Sequence, residues 1–252
     1  MDDRVERERS FHDDRFGDEE HRSADRFYDI NEASDQFFRD AIDRIPAPSR
    51  LLDYGCGEGA YAALHAARSG HEVVAIDISP VAIEHARERA EEDGVADRIE
   101  FKVMNAEALD LKDDSFDAVI GLGVIHHLEI AAAMREVARV LKPSGHAVFV
   151  EPLGHNPAIN LFRRRTPEQR SADEHPIVMA DLAVIRRYFS ELDAAYFHLF
   201  GLLAIPLRGR RGFDRSLRFL DSVDRRVFRR VKVARRHAWM IGLRLASPKP
   251  ST

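Results

Sequence analysis

The chain has 252 residues, 44% of them hydrophobic, and a formal net charge of −5. That length and composition suit one α/β core with additions, not several domains. The single cysteine, Cys56, excludes an intramolecular disulfide, and the sequence has neither an apolar signal-peptide core nor an apolar run of about 18 residues that could cross a bilayer. We therefore expect a cytoplasmic protein.

The N-terminal segment alternates acidic and basic side chains and has few apolar positions, which predicts a mobile charged arm over residues 1–22. A single domain should then occupy residues 23–252. Within it, apolar residues recur at helical spacing over 26–45 and prolines follow, so we expect a helix before the first strand.

Short apolar runs then alternate with helical stretches, which predicts a parallel sheet covered by helices on both faces. Ser79 suits the N-cap and Pro80 the first position of a helix that follows the second strand. Strands are predicted over 51–54, 72–78, 99–103, 116–121, 146–151, 194–200 and 238–246, and later helices over 130–141, 179–189 and 213–233. The pattern indicates an α/β fold: a doubly wound, seven-stranded, mostly parallel sheet with an N-terminal helix and a helical insertion between the last two strands.

The first strand breaks into a glycine turn at Asp53-Tyr54-Gly55-Cys56-Gly57-Glu58-Gly59 and opens a helix. Glycine is needed where the backbone turns sharply and approaches a ligand without a Cβ in the way. The same stretch satisfies the dinucleotide pattern G-x-G-x-x-A, so an NAD-dependent oxidoreductase is an alternative interpretation. A turn that binds no ligand is another.

An acidic residue, Asp77, ends the second strand 22 residues after Gly55. A carboxylate there can accept hydrogen bonds from both ribose hydroxyls of an adenosine cofactor. The alternative is an acid that only caps the next helix. This residue alone does not distinguish one adenosine cofactor from another.

With Asp53 two places before G-x-G-x-G, the glycine turn resembles the first motif of the class I S-adenosylmethionine-dependent methyltransferases. The stretch 73–79 is similar to the second motif of that family, and Asn105-Ala106-Glu107 to its adenine-binding step, with Asn105 where an acid is frequent. Segments 113–119, 124–128 and 141–145 resemble the later motifs in their usual order. The ordered series favours this family, in its bacterial small-molecule (type 11-like) group with a Rossmann-like fold, over the oxidoreductase and over a non-catalytic cofactor-binding protein.

The resemblance implies S-adenosylmethionine as cofactor, held by the half of the domain over 50–151. It assigns to cofactor binding the residues Asp53, Gly55, Cys56, Gly57, Gly59, Asp77, Ile78, Asn105, Ala106, Glu107 and Gly121. The implied reaction is in-line methyl transfer to a small-molecule acceptor, which chiefly requires alignment and exclusion of water.

The acceptor should bind beyond the carboxyl ends of strands four and five, where an oxygen nucleophile needs a base. The predicted catalytic residues are Glu151, His155 and His127, and His126 is a further candidate. The loop 151–157 is similar to one in bacterial small-molecule and natural-product methyltransferases; a rigid proline-braced connection is the alternative. Because adjacent helical residues point about 100° apart, we expect the two neighbouring histidines not to share a small site, and we predict no required metal.

The segment 208–236 is strongly basic, with twelve Arg or Lys and three Asp. Its helix has one apolar stripe, formed by Phe213, Leu217, Leu220, Val223, Val227 and Phe228. We assign 152–236 to a substrate-side loop and lid over a hydrophobic acceptor; a helix in weak peripheral contact with a membrane is an alternative. Nucleic acid is disfavoured, because Gly121-Leu122-Gly123 stands after strand four where amino-methylating DNA enzymes have Asn or Asp, two prolines and an aromatic residue.

Overall fold

The computed structural model of the chain describes residues 3–17, 30–167 and 170–249. Its helices are α1 (Asp3–Gly17), α2 (Glu32–Asp43), α3 (Tyr61–Arg68), α4 (Pro80–Glu92), α5 (Ile130–Val140), α6 (Pro157–Arg165), α7 (Asp181–Tyr188) and α8 (Phe213–Arg230). Its strands are β1 (Arg50–Tyr54), β2 (Glu72–Asp77), β3 (Ile99–Val103), β4 (Phe116–Leu122), β5 (Leu141–Pro152), β6 (Phe189–Phe197) and β7 (Met240–Pro248). Among these described residues, no helix is both long and apolar enough to cross a membrane.

The seven strands form one sheet in the order β3-β2-β1-β4-β5-β7-β6. Strands β1 to β5 pair with one another in parallel, and β7 runs antiparallel between β5 and β6. The order reverses at β1, whose neighbours are β2 and β4, so a crevice opens at the carboxyl ends of these strands. The predicted doubly wound, mostly parallel sheet is confirmed.

Local sequence signals account for the helix that follows β2. The Ser79 side chain accepts a hydrogen bond from the Ala82 amide at 3.1 Å, and Pro80 occupies the first turn, where its missing N–H is no loss. This predicted start of α4 is confirmed. The cap fixes the direction in which the chain leaves Asp77, the last residue of β2.

Two strand boundaries differ from those predicted. Strand β5 begins at Leu141 and not at His146, because Leu141 pairs with Phe116 before a register shift in the β4–β5 ladder. Strand β6 begins at Phe189, five residues before the predicted start at 194. Its pairing with β7 extends back to Phe189, which the local pattern had placed at the end of the preceding helix.

The charged N-terminal segment differs from the predicted arm, since residues 3–17 form helix α1. Val5 is 5% exposed and Glu8 4% exposed. Arg7 forms an ion pair with Asp173 at 2.9 Å, and Arg4 forms one with Glu107. Because these charges have partners on the rest of the molecule, the segment packs without a large apolar core of its own. Residues 18–22 of the predicted arm lie outside the described residues.

Helix α8 also differs from its predicted role. Its stripe faces the protein: Leu217 and Phe228 are buried, each in a core that includes residues of the sheet. On the same helix, Asp224 accepts hydrogen bonds from the backbone amides of Leu199 and Phe200, at 2.9 and 2.8 Å. These contacts fasten the helix to the segment after β6.

Candidate active site

A cavity of about 600 Å³ opens at the carboxyl ends of the central parallel strands. The loops that follow β1, β2, β3 and β4 line it, and α1 lines a further side. Eight of the eleven predicted cofactor-binding residues are at its wall: Gly55, Cys56, Gly57, Asp77, Ile78, Asn105, Ala106 and Glu107. Asp53, Gly59 and Gly121 are not among the lining residues in the described part of the chain.

The glycine turn after β1 depends on two left-handed backbone positions, with φ of +76° at Gly55 and +59° at Gly57. The amides of Gly55 and Cys56 both donate to the Ile76 carbonyl at 2.9 Å, which ties the turn to β2. A Cβ at Gly55 would lie 2.4 Å from the Val124 side chain. The turn therefore needs glycine for its conformation and for its close contact with the loop after β4.

Asp77 joins the end of β2 to this turn. One carboxylate oxygen accepts from the Gly57 amide and the other from the Ser79 amide, each at 2.9 Å. Burial raises the pKa of Asp77, while these backbone hydrogen bonds lower it. Each oxygen keeps a second lone pair, so the carboxylate can still accept from a ligand hydroxyl in the cavity.

Asp53, in contrast, lies behind the turn and is 1% exposed. Its carboxylate accepts from the Ala63 amide at 2.9 Å and so holds the first turn of α3. Burial raises the pKa of Asp53 to about 7, and the nearby charge of Asp77 adds to the effect. The structure therefore places this residue as a support for the glycine turn and not at the cavity wall.

The two predicted glycines that do not line the cavity, Gly59 and Gly121, differ in their surroundings. Gly121 belongs to β4, and a Cβ there would lie 2.8 Å from the Phe149 ring, so its role is in packing. A Cβ at Gly59 would meet no atom within 4 Å. The cofactor contacts predicted for these two glycines stay predictions.

The turn after β3 carries the predicted adenine-binding residues. The Asn105 side-chain carbonyl accepts from the Glu107 amide at 2.9 Å, which closes the turn. Glu107 accepts from the Glu129 amide at 2.6 Å and is paired with Arg4 of α1. The Tyr54 hydroxyl donates to the Ala106 carbonyl and connects the turn to β1. The turn is thus fixed before any ligand arrives.

The acceptor side contains a buried Glu–His pair. Glu151, at 0% exposure, accepts from the Val124 and Ile125 amides at 2.9 Å each. Its second carboxylate oxygen lies 2.7 Å from His126 Nδ1. His126 lines the cavity but Glu151 does not. Glu151, predicted to be catalytic, is therefore placed to orient His126 and the loop after β4.

His126 and His127 lie together, contrary to our expectation that they would not share a small site. Their ring centroids are 4.2 Å apart and both rings line the cavity. The two residues end a 3₁₀ turn, Ile125–His127, in which neighbours point about 120° apart, so the backbone angle does not explain this contact. Burial and the adjacent charge of His126 lower the pKa of His127.

His155, the third residue predicted to be catalytic, has another position. Its Nε2 accepts from the Met179 amide at 3.1 Å, and it is not among the described residues that line the cavity. Burial lowers its pKa, as suits a neutral ring that accepts a backbone hydrogen bond. The proline-braced connection, given above as the alternative for this loop, describes His155 better than contact with an acceptor does.

Residues 52–149 match the model of a family described as a methyltransferase domain. This segment is a methyltransferase domain. The match begins in β1 and ends in β5, so it includes the glycine turn, Asp77, the Asn105–Glu107 turn and the two histidines. The family relationship inferred from the ordered motifs is confirmed.

A bacterial methyltransferase is similar in sequence to about half of this chain. A demethylmenaquinone methyltransferase from Clavibacter sepedonicus is 40% identical over 139 residues, which are 54% of this chain and 54% of that protein. The chain thus spans about half the length of this curated relative.

Solved structures resemble more of the chain at lower identity. Phosphoethanolamine N-methyltransferase 2 from Haemonchus contortus, bound to phosphomonomethylethanolamine and S-adenosylhomocysteine, has a TM-score of 0.66 at 18% identity, over 96% of this chain and 60% of that one. Geranyl diphosphate C-methyltransferase from Streptomyces coelicolor A3(2), bound to Mg²⁺, geranyl diphosphate and S-adenosylhomocysteine, has a TM-score of 0.60 at 14% identity, over 87% and 78%. At these identities the likeness shows the fold.

Helix α1 lies outside the methyltransferase domain but contributes residues that our sequence reasoning missed. Glu8, His12 and Phe16 line the cavity, and Asp13 accepts from the Ser79 hydroxyl at the start of α4. These three lining residues recur every four positions, so they share one face of the helix. That spacing was a signal in the sequence, but it was hidden within a run of charges.

Of the predicted substrate-side loop and lid, 152–236, only the first part lines the cavity among the described residues. All residues of 197–236 are described, and none of them lines the cavity. The stripe of α8 packs against the core, as shown above, and α1 covers the methyltransferase domain in its place. The cavity is bounded after β5 by Ile159, Phe162 and Arg163 of α6, and by Trp239 and Met240 at the start of β7.

Proposed function

We propose that this protein transfers a methyl group from S-adenosylmethionine to a small, largely hydrophobic acceptor. One observation carries the proposal: the glycine turn, Asp77 and the turn after β3 of a methyltransferase domain open onto the same cavity as the paired histidines after β4. A cofactor site and a site for acceptor chemistry would therefore share one cavity, as an in-line transfer requires.

The cofactor side fits an adenosine ligand with a cationic amino-acid tail. Asp77 has acceptor capacity left for ribose hydroxyls, and the turn from Asn105 to Glu107 would border the adenine. The glycine turn would lie against the methionine part, with Asp53 supporting it from behind. When bound, the sulfonium supplies an electrophilic methyl group, whose transfer removes the positive charge from sulfur.

The acceptor side is largely apolar. Its lining includes Val5, Phe16, Leu128, Ile159, Phe162, Trp239 and Met240. Burial of apolar surface favours an acceptor with a hydrocarbon or aromatic body. The relative named for demethylmenaquinone and the neighbour solved with geranyl diphosphate support an acceptor of this kind.

The histidines add polar groups to this site, beside charged lining residues such as Arg163 and Glu174. Glu151 holds His126 through Nδ1, which leaves Nε2 as the ring nitrogen available to an acceptor hydroxyl or amine. We assign Glu151 the role of a positioning residue, and His126 and His127 that of acceptor contacts. Water exclusion would come from α1 on one side and from α6 on the other.

Ligand-dependent unfolding tests the cofactor part of the proposal. S-adenosylhomocysteine at about one hundred times its Kd should stabilise the full chain by about 2.7 kcal/mol, whereas NADH at the same concentration should not. Stabilisation by NADH alone would overturn the proposal in favour of the oxidoreductase. Stabilisation by neither ligand would favour a fold that has lost its cofactor.

The acceptor part needs its own assay. The full chain, given S-adenosylmethionine with an isotopically labelled methyl group, should label members of a panel of hydroxylated apolar compounds and leave matched polar sugars unlabelled. Mass spectrometry of the products identifies the methylated atom. Labelling of the polar compounds alone would contradict the hydrophobic acceptor and leave methyl transfer intact.

A further inference from the structure

Three side chains from distant parts of the sequence meet at the edge of the cavity. Glu8 and His12 lie one turn apart on α1, and His127 ends the 3₁₀ turn after β4. One Glu8 oxygen is 3.2 Å from His127 Nδ1 and 3.6 Å from His12 Nε2. One donor atom from each residue lies within 4.8 Å of the other two. The three groups therefore converge on one point.

The separations match those between ligands of one metal ion. Two ligand atoms about 2.1 Å from a tetrahedral Zn²⁺ ion lie about 3.4 Å apart, by the geometry of the tetrahedron. The measured 3.2 and 3.6 Å bracket that value. Two imidazoles and one carboxylate are also a ligand set that leaves a fourth position open to water or substrate.

The surroundings prepare these groups for a cation. Burial raises the pKa of Glu8, but hydrogen bonds from His12, His127 and Ser171 outweigh it and hold the pKa well below its ordinary value. The Ser171 hydroxyl donates to the carboxylate oxygen that faces away from the histidines. His12 Nδ1 is buried and has no hydrogen-bond partner among the described residues. The carboxylate is thus charged and oriented, with both rings facing it.

We propose that Glu8, His12 and His127 bind a divalent transition-metal ion of the Zn²⁺ class. The ion would fasten α1 to the loop after β4, and its open position would face the cavity, which all three residues line. A second group of possible ligands, His126, His127 and Glu174, shares His127 and lies on the same side. This proposal does not depend on methyl transfer, since it concerns a binding site formed by the chain's own side chains.

The spacing of residues along the chain did not predict this metal site. The prediction of no required metal rested on ligands close together in the chain, whereas these residues are numbered 8, 12 and 127. Only the fold of α1 over the domain unites them. Without a metal, the same contacts would form a latch in which both histidines donate to Glu8, and the experiment must separate these two cases.

The test is metal binding by the tag-free full chain. After treatment with a chelator and its removal, equilibrium dialysis with Zn²⁺ should give about one tightly bound ion per chain. Titration with Co²⁺ should give a visible absorption band of the intensity typical of four- or five-coordinate sites. A chain that binds neither ion would overturn the proposal and leave the latch.

Variants locate the bound ion. His12→Ala and Glu8→Gln should each weaken Zn²⁺ binding at least tenfold and shift or abolish the Co²⁺ band. His85→Ala is the matched control, because His85 lies 3.6 Å from Glu58 in a lone His–Glu pair and should bind as the unchanged chain does. Circular dichroism and S-adenosylhomocysteine binding report whether each variant keeps its fold. Unchanged Zn²⁺ affinity in both α1 variants would place the ion elsewhere.

Discussion

Replacing Asp77 by Asn should weaken S-adenosylhomocysteine binding and leave the fold intact. Asn tests the role of the charge more specifically than Ala, because Ala would leave the backbone amides of Gly57 and Ser79 without their acceptor. Asn keeps one acceptor oxygen with nearly the same shape. It removes the negative charge and presents an amide donor where the second oxygen was.

The expected magnitudes follow from these contacts. Hydrogen bonds to a charged group contribute about 1.5–3 kcal/mol each, so loss of one to a ribose hydroxyl should weaken binding about ten- to hundredfold. In the ligand-free chain, one backbone hydrogen bond is lost at about 1–3 kcal/mol. Because burial raises the pKa of Asp77, removing its charge offsets part of that cost. We therefore expect a change in unfolding free energy below about 2 kcal/mol.

Titration calorimetry with S-adenosylhomocysteine measures the affinity, and thermal unfolding of the ligand-free proteins measures stability. Asp97→Asn is the control, since Asp97 is exposed on a short 3₁₀ turn before β3 and should change neither quantity. If Asp77→Asn binds the ligand as tightly as the unchanged chain, Asp77 does not hold the ribose. The assignment of the cofactor side would then fail.

Four further outcomes are expected. Glu151→Gln should lower turnover about tenfold or more and change cofactor affinity little, because the Gln side chain presents a donor to His126 Nδ1 in place of an acceptor. Equal losses of turnover and of cofactor affinity would refute a positioning role. Gly55→Ala should lower the unfolding free energy by at least about 2 kcal/mol, because Gly55 has a positive φ and the new Cβ would lie 2.4 Å from the Val124 side chain. Gly59→Ala should be nearly neutral, and similar melting temperatures of the two variants would contradict this reasoning. Asp53 has a folded-state pKa of about 7, above its ordinary value of 3.8, so the folded chain binds the extra proton and stability falls as pH rises through that window. Asp53→Asn should remove this loss, so by chemical denaturation its unfolding free energy should gain about 2.5 kcal/mol on that of the unchanged chain between pH 5 and 8; a constant difference would refute it. The arginine-rich face of α8 should give weak flotation with anionic vesicles that raised salt abolishes, and no flotation at low salt would reject membrane contact.

The sequence predicted most of the sheet and the cofactor side because both depend on local signals. The Ser79–Pro80 cap and the glycine turn are contiguous motifs whose geometry follows from a few residues. Motif membership did not reveal which residues face the cavity. Asp53 and Gly121 belong to the motifs but lie behind the wall, because a motif is maintained by packing as well as by ligand contact.

The acceptor side was less predictable, since its parts come from separate elements. The strand order places Glu151 beside the turn after β4, and only that pairing shows that it holds His126. Likewise the His126 and His127 rings pack together at the end of the short turn Ile125–His127, a contact that the spacing of neighbours on a helix does not reveal. Both contacts depend on the tertiary structure, so residue spacing in the sequence does not predict them.

One physical cause explains why α1 lines the cavity and α8 does not. Composition records how many charges a helix has, but not whether each charge finds a partner. The charges of α1 are matched by Asp173, Glu107 and His127 on the body, so a helix with few apolar residues can still dock over the cavity. The apolar stripe of α8 is already satisfied by the core beside β6, so it has no free face to offer as a lid. Helix α1 thus lines the cavity through polar contacts, and any metal ion that Glu8, His12 and His127 bind would strengthen its attachment to the loop after β4.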